Sequence, residues 1–341
     1  SMSLPRIIEA ENRIRQVLET NATVLNLSSL RLRSVPISVC RLTKLTELRL
    51  DKNHLETVPE ELGQLIKLRR LNLSRNHLKL IPKSLGNLTK LWKLSLFNND
   101  LVILPEELGN LINLQQLSLH QNRLTSVPKK LGQLANLKVL RLHQNQLTVI
   151  PKELSSFINL KQLSLHQNQL TKIPKELGQL TKLEILRLHQ NQLTAIPKEL
   201  SNLINLQQLS LYQNQLTTIP KELGQLTKLE ILRLNYNPNL VSPPPEVSKQ
   251  GTQAILAYLR EQRYNGEHQW ISKLLVVGEG GVGKTSLLRA LRGESFKVQQ
   301  TSTHGIEIKA LNLAHPTEAD VNMTLNTWDF GGDRKSTRLN S

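Results

Sequence analysis

The sequence predicts an α/β chain. A solenoid of 23-residue repeats, with a parallel concave sheet and helical caps, precedes the N-terminal part of a phosphate-loop α/β domain. Three observations carry this. Proline recurs at a constant interval of 23 residues: Pro36, Pro59, Pro82, Pro105, Pro128, Pro151, Pro174, Pro197, Pro220 and Pro243. Asparagine recurs in phase with it, from Asn53 through Asn145 to Asn237, inside L-x-x-L-x-L-x-x-N-x-L. Beyond the repeats, Gly278-Glu279-Gly280-Gly281-Val282-Gly283-Lys284-Thr285 matches G-x-x-x-x-G-K-[ST] between an apolar run and a helical one.

The first element is a helix over 4–19, with Ile7, Ile8, Ile14, Val17 and Leu18 near one face. It caps an array whose first repeat is degenerate, with Leu30 at the Asn position and Ala22 at a Leu position. Residues 1–20 are therefore assigned to the N-terminal cap and 21–242 to the repeats. The pattern is the leucine-rich-repeat signature. In Lys138-Val139-Leu140-Arg141-Leu142-His143 the leucines alternate with outward residues, which makes a short strand with a buried and an exposed face. Ile or Val before Pro favours extended backbone. Pro suits the first position of a short helical turn, and the glutamate after it is favoured near that N-terminus. The ladder Asn is expected to bond backbone in the following turn. No repeat can bury its leucines alone, so neighbours supply the stability. Ser242-Pro243-Pro244-Pro245 breaks the pattern, and residues 243–263 are expected to form a closing cap helix using Ile255, Leu256, Tyr258 and Leu259. Residues 264–270 are the linker.

Register places His120, Arg141, His143, His166, Arg187, His189, Tyr212 and Arg233 on the concave face. Serine and arginine alternate there, so repeats come in pairs, and four histidines stack in register. This face is the candidate platform for a protein partner, including an acidic one. A row of exposed imidazoles diverges, which disfavours a closed metal site. An unperturbed imidazole titrates near pH 6.5; the four are expected to titrate in a spread, some below that value, with Arg141 and Arg187 pushing them lower, so that the face gains charge, and binds an acidic partner more tightly, as pH falls from 7.5 to 5.5.

Composition narrows the classes. One cysteine, Cys40, excludes a disulfide framework. The formal charge of +17 invites a nucleic-acid reading, but aromatics are only 3% of residues, too few for base stacking. The lysines recur beside glutamates as a solvated face, so specific nucleic-acid binding is not expected. No apolar run reaches membrane-spanning length and no signal peptide is evident, which gives a cytoplasmic, non-transmembrane expectation.

In the last part, 271–333, glycines let successive N–H groups point at phosphates, and the helix after them adds its positive end. Lys284 would reach the β- and γ-phosphates and Thr285 would ligate Mg2+. A strand from Ile306 to Leu313 and another from Val321 to Phe330 follow. Thr303, in a T-x-G, and Asp329, in Asp329-Phe330-Gly331-Gly332, are the further Mg2+ candidates, Asp329 through water. The N–H of Gly332 would meet a γ-phosphate, and Ser286 completes the phosphate-binding set.

Repeats followed by Lys273 to Ser286, Thr303-His304-Gly305-Ile306 and Trp328 to Gly332 resemble the Roco family, in which a Ras-like GTPase domain called Roc follows leucine-rich repeats. The resemblance implies GTP/GDP and Mg2+ binding, slow hydrolysis, conformational switching, and a dimer formed through a C-terminal COR domain. Two departures stand out. Asp333 occupies the position where Ras-like proteins commonly have the water-positioning Gln. The guanine-reading motif and the COR domain are absent, and residues 334–341 have no pattern. The expectation is a fragment cut inside the Roc domain and inactive by itself, with GTPase activity belonging to the full-length protein. Guanine preference rests on the resemblance alone. Two alternatives stay open: a repeat scaffold with an inert nucleotide domain, and an ATP-dependent switch.

Overall fold

The computed structural model describes residues 4–264, 271–276, 284–294, 306–314 and 322–330. The chain divides into two compact units, Ser1–Pro243 and Pro244–Ser341, and each is described by itself.

The first unit begins with helix α1, Leu4–Thr20. Ten strands of three residues follow: β1 Val24–Asn26, β2 Glu47–Arg49, β3 Arg70–Asn72, β4 Lys93–Ser95, β5 Gln116–Ser118, β6 Val139–Arg141, β7 Gln162–Ser164, β8 Ile185–Arg187, β9 Gln208–Ser210 and β10 Ile231–Arg233. They form one parallel sheet in sequence order. Pairing keeps equivalent residues opposite, as in Leu140 beside Leu163 and Arg141 beside Ser164. The middle leucine of each strand is buried, and Leu137, Leu140, Leu142 and Leu147 have no exposed surface. Burying a leucine stabilises by about 1.5–3 kcal/mol, and the repeats supply several each.

The return path of each repeat is a five-residue 3-10 helix such as Lys152–Ser156. Proline stands one position before it, not inside it. Pro151 is extended, with φ −69° and ψ 143°, and its carbonyl accepts from the Leu154 N–H at 3.2 Å. The i to i+3 bond explains why the turn is 3-10. Most of the equivalent turns carry glycine where this one has Ser155, and the glycine has a packing reason. A Cβ on Gly109 would lie 2.3 Å from the Lys130 carbonyl oxygen, and one on Gly178 2.3 Å from that of Glu199. Adjacent turns approach too closely at those glycines for a side chain unless something shifts, whereas Ser155 and Ser201 hold the equivalent place in the alternate turns.

The asparagine ladder forms, but it runs the other way from the sequence expectation. Asn145 Nδ2 donates to Leu142 O within its own repeat and to Leu119 O in the preceding one, both at 3.0 Å. Its Oδ1 accepts from Leu124 N–H of the preceding repeat at 2.9 Å. One buried amide thus satisfies three backbone groups that the tight turns leave over. The residue before each ladder Asn is left-handed, for example Gln121 at φ 55° and Gln144 at φ 54°. Without glycine this costs roughly 1–2 kcal/mol, a cost offset by the bonds the turn makes possible.

Helix α1 packs by Ala10, Ile14 and Val17, all buried. Arg13 Nη1 donates to Asn26 O at 2.9 Å and the Ser38 hydroxyl donates to Glu11. The expected face was too wide: Ile7, Ile8 and Leu18 are exposed. Only the stripe at i, i+4 and i+7 meets the first repeat. After β10 the chain stays attached, since Ile219 N–H donates to Ser242 O at 2.8 Å and Val241 N–H to Thr217 O at 2.9 Å.

The second unit holds α2, Pro245–Ser248, and α3, Thr252–Tyr264. The single helix expected over 243–263 is thus two, parted at Gly251 with φ 94°, and Ile255, Leu256, Tyr258 and Leu259, all buried, lie on α3. A three-stranded sheet follows, from β11 Ile271–Val276, β12 Ile306–Ala314 and β13 Asn322–Phe330, with α4 Lys284–Leu291 after β11. The order is β11-β13-β12. β11 runs parallel to β13, and β12 is antiparallel to it.

Candidate functional sites: a sheet edge beside the phosphate loop and a concave histidine stack

In the second unit the phosphate-loop stretch is bracketed by β11 and α4. Parallel pairing puts Val276 beside Asp329, so the two strands end at one sheet edge. Lys284 and Thr285 open α4; Lys284 is buried, and Thr285 and Ser286 are partly so. The far end of α4 is tied down. Arg289 Nε lies 3.0 Å and Arg292 Nε 2.8 Å from the carboxylate of Glu294. The hydrogen bond from Arg292 holds the Glu294 carboxyl below its usual range. Arg292 Nη1 also donates to Thr327 Oγ1 at 3.0 Å, and that hydroxyl donates to Lys309 O at 2.8 Å. Thr327 is fully buried on β13. One chain of bonds thus joins α4, β13 and β12. Of the sequence-derived site residues, Gly278, Glu279, Gly280, Gly281, Val282, Gly283, Thr303 and Gly332 lie outside the described residues, as does Asp333.

On the first unit all eight concave-face candidates lie on or directly after strands β5 to β10. The four histidines do more than align. Their rings stack face to face, with centroids 4.3 Å apart for His120–His143, 4.2 Å for His143–His166 and 4.2 Å for His166–His189. Phe97 closes one end at 4.5 Å and Tyr212 the other at 4.3 Å. Neighbouring ring planes differ by no more than 17°. The sequence carried the signal for these end rings: Phe97 and Tyr212 occupy the histidine position of their own repeats.

The stack changes the acid–base expectation. Burial comes first, and neighbouring positive charge second, in lowering His120, His166 and His189 to about 4 and His143 to about 3. For His143 the nearest such charges belong to His166 and His120; for His120 and His189 they belong to Arg141 and Arg187 respectively. All four Nδ1 atoms are buried without a hydrogen-bond partner. This assigns the neutral proton to Nε2, since a second N–H at Nδ1 would face no acceptor. The rings stay neutral at pH 5.5, so the expected gain of concave charge between pH 7.5 and 5.5 does not occur. They act as a polar-edged aromatic spine.

Arginines flank the spine. Arg141 Nη1 is 3.4 Å from Ser118 Oγ, and burial followed by the charge of Arg187 lowers the Arg141 pKa. Among the described residues, the strand arginines paired with carboxylates are at the other end of the sheet, where Arg49 Nε lies 3.3 Å from Asp51 and Arg70 Nη1 3.2 Å from Glu47. Among the described residues no helix is long and apolar enough to cross a membrane.

Comparison with known proteins agrees with both units. The profile of the leucine-rich repeat region matches residues 23–147 and 126–263, and that of the Roc domain ("Ras of Complex, Roc, domain of DAPkinase") matches 273–341. A leucine-rich-repeat protein of Leptospira interrogans has a similar fold, with TM-score 0.60 and 40% identity over 63% of this chain and 58% of that one. Cyclic GMP-binding protein C of Dictyostelium discoideum is 30% identical over 91 residues, 27% of this chain and 3% of its own length. The mouse (Mus musculus) leucine-rich repeat serine/threonine-protein kinase 1 is 33% identical over 105 residues, 30% of this chain and 5% of its own. Ras-related protein Rab-7L1 of Rattus norvegicus is 32% identical over 74 residues, 22% of this chain and 35% of its own. The chain therefore spans only a small part of the Dictyostelium and mouse relatives. It belongs to the leucine-rich-repeat family and, with a Ras-like Roc segment after the repeats, is of the Roco type.

Proposed function

We propose that this chain is the sensing and phosphate-binding part of a guanine-nucleotide switch, in which the repeats hold a protein partner and the Roc segment binds GTP or GDP with Mg2+. The observation that carries the nucleotide reading is the shared sheet edge. Val276 leads into the Gly-rich loop, Asp329 stands beside it on β13, and Lys284 with Thr285 opens an eight-residue helix immediately after the loop. A buried ammonium at a helix N-terminus suits an anion held by backbone N–H groups. The residues present fit the group. Gly278 to Gly283 would supply backbone donors, Lys284 the phosphate charge partner, and Thr285, Thr303 and Asp329 the Mg2+ shell. The nucleotide supplies a γ-phosphate whose presence or loss the flanking loops register. Asp333, in place of a water-positioning Gln, favours slow turnover and long-lived states.

The test is binding, read by calorimetry with GTP and GDP on a protein that carries this chain and a whole Roc domain. Lys284→Ala is expected to lower affinity by at least about a hundredfold, the loss of a buried charge-assisted contact of roughly 3 kcal/mol. Unchanged affinity would remove the site assignment. ATP bound in preference to GTP would replace the guanine reading.

A further inference from the structure

The C-terminal half of the concave face carries charge that the fold does not neutralise. Arg141, Arg187 and Arg233 occupy the last position of β6, β8 and β10, in register with Ser118, Ser164 and Ser210 of the alternating strands β5, β7 and β9. Among the described residues no carboxylate lies within ion-pair distance of any of the three, whereas Arg49 and Arg70 at the other end of the sheet are paired. Arg141 and Arg187 are half-buried and Arg233 is exposed. Their mutual repulsion already registers at Arg141.

We propose that this arginine row is a docking groove for an extended acidic polypeptide segment with a carboxylate at every third residue. This rests on the platform reading above and adds the ligand's chemistry and spacing. The spacing follows from the stack beside the row. Rings one repeat apart are 4.2–4.3 Å apart, so arginines two repeats apart stand about 8.5 Å apart at the same height. A polyproline II segment advances about 9.3 Å in three residues and returns to the same face. Side-chain reach absorbs the difference over two intervals. A β-extended segment returns to the same face after two residues, about 6.8 Å, and falls out of step. Single-stranded nucleic acid fits less well. Base stacking needs open aromatic faces, and here each histidine face is covered by the next ring, with Phe97 and Tyr212 closing the ends.

The test uses the full chain and two labelled twelve-residue peptides of one composition, four Glu-Pro-Pro units and a block of four Glu followed by eight Pro, read by fluorescence anisotropy at low and physiological salt. The spaced peptide is expected to bind at least about fivefold tighter than the block. Arg141→Gln/Arg187→Gln/Arg233→Gln is expected to weaken it about tenfold and to flatten its salt dependence. Arg187→Gln alone, with its melting curve checked, serves as the milder variant. Equal affinity for the two peptides, or insensitivity to both variants, overturns the proposal. So does an oligothymidylate of equal charge that binds better. If neither peptide binds but a protein captured by the chain is released by Tyr212→Ala, the platform reading stands and the acidic spacing falls. If that capture is also unaffected by Tyr212→Ala and by the arginine variants, the platform reading fails with it.

Discussion

The histidine stack is expected to make the repeat unit acid-labile in a window set by the rings themselves. An unfolded histidine titrates near 6.5, whereas the stacked rings titrate at about 4, and His143 at about 3. Above pH 6.5 both states are neutral and stability is unaffected. As pH falls below 6.5 the unfolded chain takes up protons that the folded stack refuses, so stability is lost until the folded rings titrate. Near pH 5 unfolding would take up roughly 3–4 protons at these sites, a slope of about 5 kcal/mol per pH unit. Over the whole window each ring that titrates at about 4 would lose about 3 kcal/mol, and His143 about 5 kcal/mol, before screening. Solvent at the outer ring edges screens this, giving roughly 5–8 kcal/mol for the four. That rivals the whole stability of a typical domain, about 5–15 kcal/mol. The control replaces His120, His143, His166 and His189 by Phe, the residue already stacked at position 97. Urea unfolding of both proteins from pH 7.5 to 4, followed by circular dichroism, isolates the contribution, because carboxylates and other histidines are common to both. The wild type should lose stability between pH 6.5 and 4 far faster than the variant. Parallel pH profiles, or imidazole titration by NMR above pH 6, would show that the stack does not depress these groups.

Asn145→Ala should destabilise by about 3 kcal/mol, because it strands two carbonyls and the Leu124 N–H; hydrogen exchange at Leu124 should accelerate first, and protection equal to wild type would refute the ladder's role. Gly178→Ala should cost about 1–3 kcal/mol by urea titration, since its Cβ would meet the Glu199 carbonyl oxygen at 2.3 Å; a change below 0.5 kcal/mol, about the level of an indifferent surface site, would show that the turns part freely. Binding of an acidic peptide to the concave face should be nearly constant from pH 7.5 to 5.5, because the neighbouring rings stay neutral; a severalfold rise that the four His→Phe changes remove would refute that.

The repeats were legible because a fixed period repeats every decision many times over. Leu140, Leu142 and Asn145 are placed by spacing alone, and the strand register follows from it. The direction of the Asn145 bonds was not legible, since spacing gives a residue's place but not which neighbouring turn its amide meets. The width of the α1 face was overestimated because hydrophobicity marks Ile7 and Ile8 as readily as Ile14, while only the extent of the first repeat decides what is covered. For the histidines, alignment was legible and chemistry was not. Whether an aligned row diverges into water or closes into a stack depends on rotamers, and so on spacing at ring height, which the four residues do not reveal singly. In the second unit β12 and β13 fall within one residue of their expected ends, because alternating apolar residues mark them. Strand β11 begins at Ile271, ahead of the apolar run from Leu274 that marks it in the sequence, with Ser272 and Lys273 between.

The alternation of the repeats sets how such an array can change length. Lys182 Nζ donates to Asn159 at 2.7 Å and Lys228 Nζ to Asn205 at 2.6 Å, and these two contacts lie two repeats apart. Serine or glycine in the 3-10 turn, and serine or arginine on the strand, alternate in the same rhythm. Neighbouring repeats therefore meet through two different seams, used in turn. Loss or duplication of a single repeat would bring like against like and create a seam found nowhere else in this half of the array. Loss or duplication of a pair recreates seams already present, and adds or removes one arginine and two rings. The heritable unit of this surface is the pair, and a lineage can lengthen its groove by gene slippage in steps that leave the packing unchanged.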